Sequence, residues 1–234
     1  MKRGYWESHP SYQDAGDASA RAFADPKAAR VAEVLGLRGD EPVLDVGAGT
    51  GHLTEAFRRR GHPVTALDAA AAMLRRNASP RRVRGDAGRL PFPDGAFALA
   101  VESNVLHHVA DPVSVLREMA RVGGGRVAAV EPNRNHPPMF CFNLLVKEEW
   151  PALRYTPSHL RRLAAAAGLD ARHVAAEGWV YQNKTPAFLA RRRARPTGPR
   201  PPAGYVGGGS EAPSPPRPRP SRSFPPPRRP ARGR

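Results

Sequence analysis

The stretch Val43–Gly51, reading Val-Leu-Asp-Val-Gly-Ala-Gly-Thr-Gly and running on into His52-Leu53, decides the fold of this chain. A short apolar run that meets three glycines and then a helical pattern is a strand–turn–helix unit. Glycine lets the backbone turn sharply and lie close to a ligand, because a Cβ would fill that space. The helix that follows offers unpaired N–H groups suited to a carboxylate or phosphate. The spacing matters more than the glycines. A dinucleotide loop reads G-x-G-x-x-G, whereas here the third glycine comes one residue early. No Gly-Lys-Ser/Thr follows, which excludes a P-loop. Asp45 sits inside the strand just before the loop.

Working outward, short aliphatic runs bounded by Gly, Pro or Asp recur at Val43–Val46, Val64–Leu67, Arg82–Arg84, Ala96–Val101 and Arg126–Val130. Helical patterns separate them, at Lys27–Leu35, Leu53–Arg60, Ala69–Arg76, Pro112–Val122 and Pro157–Ala167. For the last, Thr156 is the expected N-cap, Pro157 takes N1 and Gly168 falls just past the end. Such alternation predicts an α/β, doubly wound, Rossmann-like sheet with helices on both faces and a ligand at the carboxyl ends of the strands. After Gly168 the pattern changes. Asp170–Trp179 and Pro186–Arg192, joined by the short Gln182–Thr185 link, read as an antiparallel edge hairpin. The full expectation is a mostly parallel seven-stranded sheet with that hairpin at its C-terminal edge.

Charge is unevenly spread. The stretch Arg191–Arg234 holds 12 Arg, one acid (Glu211) and 13 of the 27 Pro, and so carries +11 of the formal +16. The high pI therefore belongs to the tail and is poor evidence for a nucleic-acid binder. Residues 193–234 lack the aliphatic content to offset chain entropy and are expected to be a disordered Arg/Pro-rich tail. Three readings of it stand side by side: a nucleic-acid-binding arm, a solvated appendage, and GC-rich DNA translated out of frame. The single cysteine, Cys141, excludes an internal disulfide and a Cys-based zinc site. It suits a reducing, cytoplasmic setting. No secretion signal or bilayer-length apolar run is seen.

Taken together, the h-h-D-h-G-x-G-x-G form resembles motif I of class I S-adenosylmethionine-dependent methyltransferases, and further matches follow in order. Asp68 closes the second strand in VTALD. The segment Gly85–Ala98, GDAGRLPFPDGAFA, is similar to the family's adenine loop, Val105–Pro112 to the segment after its fourth strand, and Gly123–Asn133 to its fifth strand. The resemblance spans 27–192, nearly the whole body, and most resembles quinone-biosynthesis and secondary-metabolism enzymes. Residues 1–26, with Tyr5, Trp6 and Tyr12, would cover the cofactor.

The resemblance implies S-adenosyl-L-methionine as cofactor and S-adenosylhomocysteine as product. Asp45, Gly47, Ala48, Gly49, Gly51, Asp68, Ala69, Asp86, Ala87 and Asn104 would bind it. In this family Asp68 would take both ribose hydroxyls and Asp86 the adenine amino group, with Leu90 beside the ring. Asp45 would either meet the methionine ammonium or serve as a buried structural acid. Two positions depart from the family pattern: Phe97-Ala98, where Phe-Asp is common, and Ala70, where Ser is common.

Methyl transfer from a sulfonium needs alignment, exclusion of water and at times a base. His107 and His108, just past the fourth strand, are the candidate catalytic bases, or else a pocket-stabilising pair. Glu131, Asn133 and His136, after the fifth strand, are candidate substrate residues. No metal is expected. The insertion HPPMFCFNLLVKEEW reads either as a lid over an apolar ring or as a helix with a core-facing stripe of Phe140, Leu144 and Val146. The expected activity is methylation of O, C or N on a small molecule. The alternatives are an RNA-associated methyltransferase using the tail as an arm, and a cofactor-binding scaffold without catalysis.

Overall fold

The computed structural model describes Glu7, residues 14–174 and Ala176. Its strands are β1 (Val43–Val46), β2 (Val64–Asp68), β3 (Arg81–Arg84), β4 (Leu99–Ser103) and β5 (Val127–Val130). The helices are α1 (Ala18–Val34), α2 (His52–Arg58), α3 (Ala71–Arg76), α4 (Pro112–Val122), α5 (Pro137–Leu145) and α6 (Pro157–Ala166). Two 3₁₀ turns, Leu106–His108 and Lys147–Arg154, complete the described body.

All five strands pair in parallel, in the order β3-β2-β1-β4-β5. This corrects the expected seven-stranded sheet with an antiparallel C-terminal hairpin. Among the described residues the sheet has five strands and no antiparallel one, and β5 is its last strand on that side. Period-two patterning after Gly168 says only that a segment tolerates extension. A strand also needs several partners in register, and among the described residues 170–174 form no strand of this sheet, with Ala171 alone making a single bridge. The remainder of the expected hairpin, like the Arg/Pro-rich tail, lies outside the described residues.

Burial follows from the topology. Strands β1 and β5 are buried at every position, and β2 and β4 at all but their last. Helices cover both faces of a parallel sheet, so its strands read as continuous apolar runs. Val43 and Val64 pack with Phe23, Val31 and Phe57 of α1 and α2 on one face. Leu44 and Val46 pack with Leu116 and Met119 of α4 on the other. Each such side chain contributes roughly 1.5–3 kcal/mol through burial. Edge strand β3, Arg-Arg-Val-Arg, is largely exposed, and its charges discourage another chain from pairing there.

Helix boundaries follow local chemistry where caps exist. Asp111 accepts from Ser114 N–H at 3.0 Å and opens α4 ahead of Pro112. Thr156 accepts from His159 N–H at 3.1 Å to open α6, and Gly168 follows its end with φ of +80°. By contrast, α1 begins nine residues before the expected Lys27, at Ala18, and carries Pro26 in its interior. Burial of Phe23, Ala24, Ala28 and Val31 along one face compensates the hydrogen bond that proline cannot donate.

The insertion after β5 does form a helix, α5, but not with the expected core-facing stripe. Phe140 and Leu144 are exposed, while Asn143 is buried. The described residues contain no helix long and apolar enough to cross a membrane.

Candidate functional site

Strand order reverses between β1 and β4, and a crevice opens at their carboxyl ends. There a cleft of about 400 Å³ runs from the glycine loop to the 3₁₀ turn after β4, within the size range of small-molecule sites. Nine of the ten residues expected to bind the cofactor line it: Asp45, Gly47, Ala48, Gly49, Asp68, Ala69, Asp86, Ala87 and Asn104. The tenth, Gly51, instead starts α2 in a left-handed conformation, φ +97°, where a Cβ would fall 2.9 Å from the Asn77 side chain.

Gly47 is required twice over. Its φ is +66°, and a Cβ would fall 2.3 Å from the Val105 side chain, so loop and β4 exit are pressed together. Beside it, a Cβ on Gly49 would meet nothing within 4 Å. That face of the loop is open to the cleft.

Three carboxylates stand along this wall. Asp45, almost wholly buried, accepts from Thr54 Oγ1 at 2.6 Å. Burial pushes its carboxyl up to about 7, against the pull of the Thr54 hydrogen bonds and assisted by the Asp68 charge. Asp68, at the end of β2, accepts from Gly49 N–H and Ala70 N–H, each at 2.8 Å. It ties the loop to the next strand while burial raises its pKa. Asp86 is exposed and accepts from Gly88 N–H at 2.9 Å, which shapes the turn after β3. Leu90, expected beside a ring, packs into the core with Leu44 and Leu67 instead. From the N-terminal segment, the Glu7 carboxylate receives Ala71 and Ala72 N–H at the start of α3, next to the cleft residues Ala69 and Ala70.

The opposite wall is of another kind. Asn104 follows β4 with φ of +59°, the only described non-glycine residue in the left-handed region. Asparagine tolerates this better than most residues, and such outliers gather at functional sites. His108 lines the cleft; His107 turns away from it into a buried ionic cluster. The Nδ1 of His107 pairs with Glu131, whose other oxygen accepts Leu106 N–H at 2.7 Å. Its Nε2 lies 3.3 Å from a Glu149 oxygen. Burial alone would lower the pKa of His107, but the adjoining Glu131 charge prevails and lifts it to about 9. His108 is driven down to about 4, by burial and then by the charge on His107. At neutral pH the pair is thus one imidazolium and one neutral ring. Glu102, fully buried, accepts Val105 N–H at 3.0 Å, and burial together with the Glu131 charge holds its pKa well up.

Of the three residues expected to meet substrate, Glu131 is engaged with His107, and Asn133 accepts Asn135 N–H at 3.0 Å within its own turn. His136 precedes α5. None of the three lines the cleft. Sequence reading missed Val105, Thr54, Asn77 and Glu149. Asn77 is buried and donates to Gly49 O and Thr54 Oγ1, both at 3.3 Å, so it props the glycine loop from α3. No local pattern marks such a residue, because its partners lie in distant parts of the chain.

A family model described as a methyltransferase domain matches residues 44–129, the span from the glycine loop to β5. A demethylmenaquinone methyltransferase of Thermobifida fusca is 34% identical over 181 residues, covering 66% of this chain and 76% of that one. A malonyl-[acyl-carrier protein] O-methyltransferase of Serratia marcescens is 36% identical over 96 residues, covering 38% of each. Among solved structures, a putative methyltransferase from Bacillus halodurans superposes with a TM-score of 0.51 at 25% identity, over 62% of this chain and 69% of that one.

Proposed function

The chain belongs to the class I S-adenosylmethionine-dependent methyltransferases, and from that premise we propose that its acceptor is a quinone-type ring compound in reduced form, seated against Asn104, Val105 and His108. It uses S-adenosylmethionine, releases S-adenosylhomocysteine and acts on a small molecule. The choice of ring follows the Thermobifida relative, whose name specifies a demethylmenaquinone.

The residues present fit the cofactor. Its ammonium, ribose hydroxyls and adenine amino group are all hydrogen-bond donors, and the cleft wall offers three carboxylates over an open glycine face. The presence of Asp45, Asp68 and Asp86 beside Gly49 along one cleft supports the placing of the cofactor, and the Thermobifida relative carries the choice of acceptor. Asp45 would stand nearest the ammonium, Asp68 would take the ribose and Asp86 the adenine edge. When bound, the cofactor supplies an electrophilic methyl group, and the protein aligns the nucleophile and keeps water out.

On the acceptor side, His108 presents an uncharged ring at neutral pH. When the acceptor is methylated, its hydroxyl proton would pass to this ring or to water. His107, already protonated and wedged between two carboxylates, acts by positioning: it holds the 3₁₀ turn on which His108 sits. Purified protein incubated with methyl-labelled cofactor and a panel of reduced naphthoquinones and phenols tests this. Label transferred to the naphthoquinol is the expected result; label found solely on non-aromatic acceptors refutes the choice of ring.

A further inference from the structure

Three side chains beyond the cofactor wall converge where the two 3₁₀ turns meet. One ring nitrogen each of His107 and His108 and a Glu149 carboxylate oxygen all lie within 4.8 Å of one another, and His107 Nε2 is 3.3 Å from Glu149. His107 is the informative member. Its ring is about 99% buried, and its Nε2 makes no hydrogen bond of acceptable geometry, although it faces the Glu149 oxygen at 3.3 Å. A buried ring nitrogen is normally satisfied. On the far side Nδ1 is fixed by Glu131. This is the arrangement that orients a metal-binding imidazole: a carboxylate on one nitrogen sets the tautomer and aims the other at the ion.

We propose that His107, His108 and Glu149 bind one divalent transition-metal ion of the zinc type at the acceptor edge of the cleft, with a further coordination position open to an acceptor oxygen. Two ligand atoms about 2.0–2.1 Å from a tetrahedral ion stand about 3.3–3.4 Å apart. The His107–Glu149 separation already has that value. The His108 nitrogen needs a shift of about 1.5 Å at most, within reach of side-chain rotation. Two imidazoles and a carboxylate favour zinc, cobalt or iron(II) over magnesium or calcium, which prefer oxygen ligands. Three protein ligands with one position left open is the pattern of a catalytic site. His108 is the ligand that lines the cleft, and through it the ion would border the acceptor. An ion there displaces the Nε2 proton of His107 to solvent and polarises a hydroxyl oxygen, taking over the part of the neutral His108 ring. The expectation of no metal rested on the lack of a ligand-spacing motif; Glu149 arrives from a distant insertion, so none was visible.

The binding claim stands on this geometry, and its use on an acceptor oxygen rests on the function proposed above. Full-length protein, stripped with a chelator, is titrated calorimetrically with Zn²⁺ and, separately, with Co²⁺ followed by visible absorption. The wild type is expected to bind one Zn²⁺ per chain with a micromolar or tighter Kd and to show a Co²⁺ band of low-coordinate intensity. Glu149→Gln and His108→Asn each weaken Zn²⁺ at least tenfold, while His159→Asn, outside the cluster, does not. S-adenosylhomocysteine titrated into the same preparations separates the two ideas: Glu149→Gln keeps the wild-type affinity for it. No Zn²⁺ binding by a wild type that binds S-adenosylhomocysteine, or Zn²⁺ binding unaltered by both cluster variants, overturns the metal site alone. Loss of S-adenosylhomocysteine binding in the wild type overturns the parent reading instead.

Discussion

The two walls of the cleft are built on different principles. The wall from β1 to β3 is made of backbone and acid: a glycine loop, and carboxylates at or near strand ends, two of which accept N–H groups of the loops that follow the strands. The wall after β4 is made of side chains from the stretch 103–115, with Glu102, His107 and Glu131 buried together beneath it. The first arrangement depends on the backbone and on groups held by short turns beside it. The second depends on each buried charge finding its partner. The lesson is a division of labour, with a generic cofactor wall facing an individually assembled acceptor wall.

That contrast breaks most sharply at Asp68. Asp68→Ala removes the acceptors proposed for the ribose and unties Gly49 from β2, each hydrogen bond to a charged group being worth about 1.5–3 kcal/mol. S-adenosylhomocysteine affinity is expected to fall at least about 100-fold by calorimetry, with a near-wild-type circular dichroism spectrum. Next is Glu131→Gln on the other wall. Breaking a buried pair typically costs about 3–5 kcal/mol, so the urea midpoint should drop markedly while cofactor affinity shifts less than about threefold. An equal loss of affinity would show that the walls are not separable.

The hinge between them is Gly47. Gly47→Ala should lose about 1–3 kcal/mol of stability through its φ and its clash with Val105. Adding Val105→Ala should recover the steric part only, leaving the φ strain visible in the thermal midpoint.

A smaller effect concerns pH. Asp45 has its pKa raised to about 7, so in the free protein it is protonated below that value and ionised above it. A cationic ammonium prefers the ionised form, so cofactor affinity should be full above pH 7 and fall as pH drops, by about tenfold between pH 8 and 6. Asp45→Asn should bind more weakly with a flat profile. An unchanged slope in that variant would assign the titration elsewhere. The least effect belongs to α5: Leu145 is 84% exposed, and Leu145→Ser should change stability by less than about 0.5 kcal/mol.

Local chemistry explains what could be read in advance. The run Val43–Gly51 specifies a strand, a left-handed turn and a helix through apolar burial and the absence of Cβ atoms, and these act over a few residues. Asp111-Pro112 and Thr156-Pro157 mark helix starts for the same reason, since a capping side chain bonds an N–H three residues away. The cofactor wall was legible because its groups sit on such local units at strand ends. Strand pairing was not, because an extended pattern at Asp170–Trp179 carries no information about whether an edge is present to receive it. Nor was the fate of the two adjacent histidines.

By itself, then, the sequence determined an α/β framework with parallel strands, the glycine loop and the row of acids beside it. Tertiary structure alone decided that His107 is buried between Glu131 and Glu149 and charged, while its neighbour His108 faces the cleft uncharged. Identical side chains acquire opposite protonation from their surroundings, because solvation and the nearest charge are properties of the folded interior.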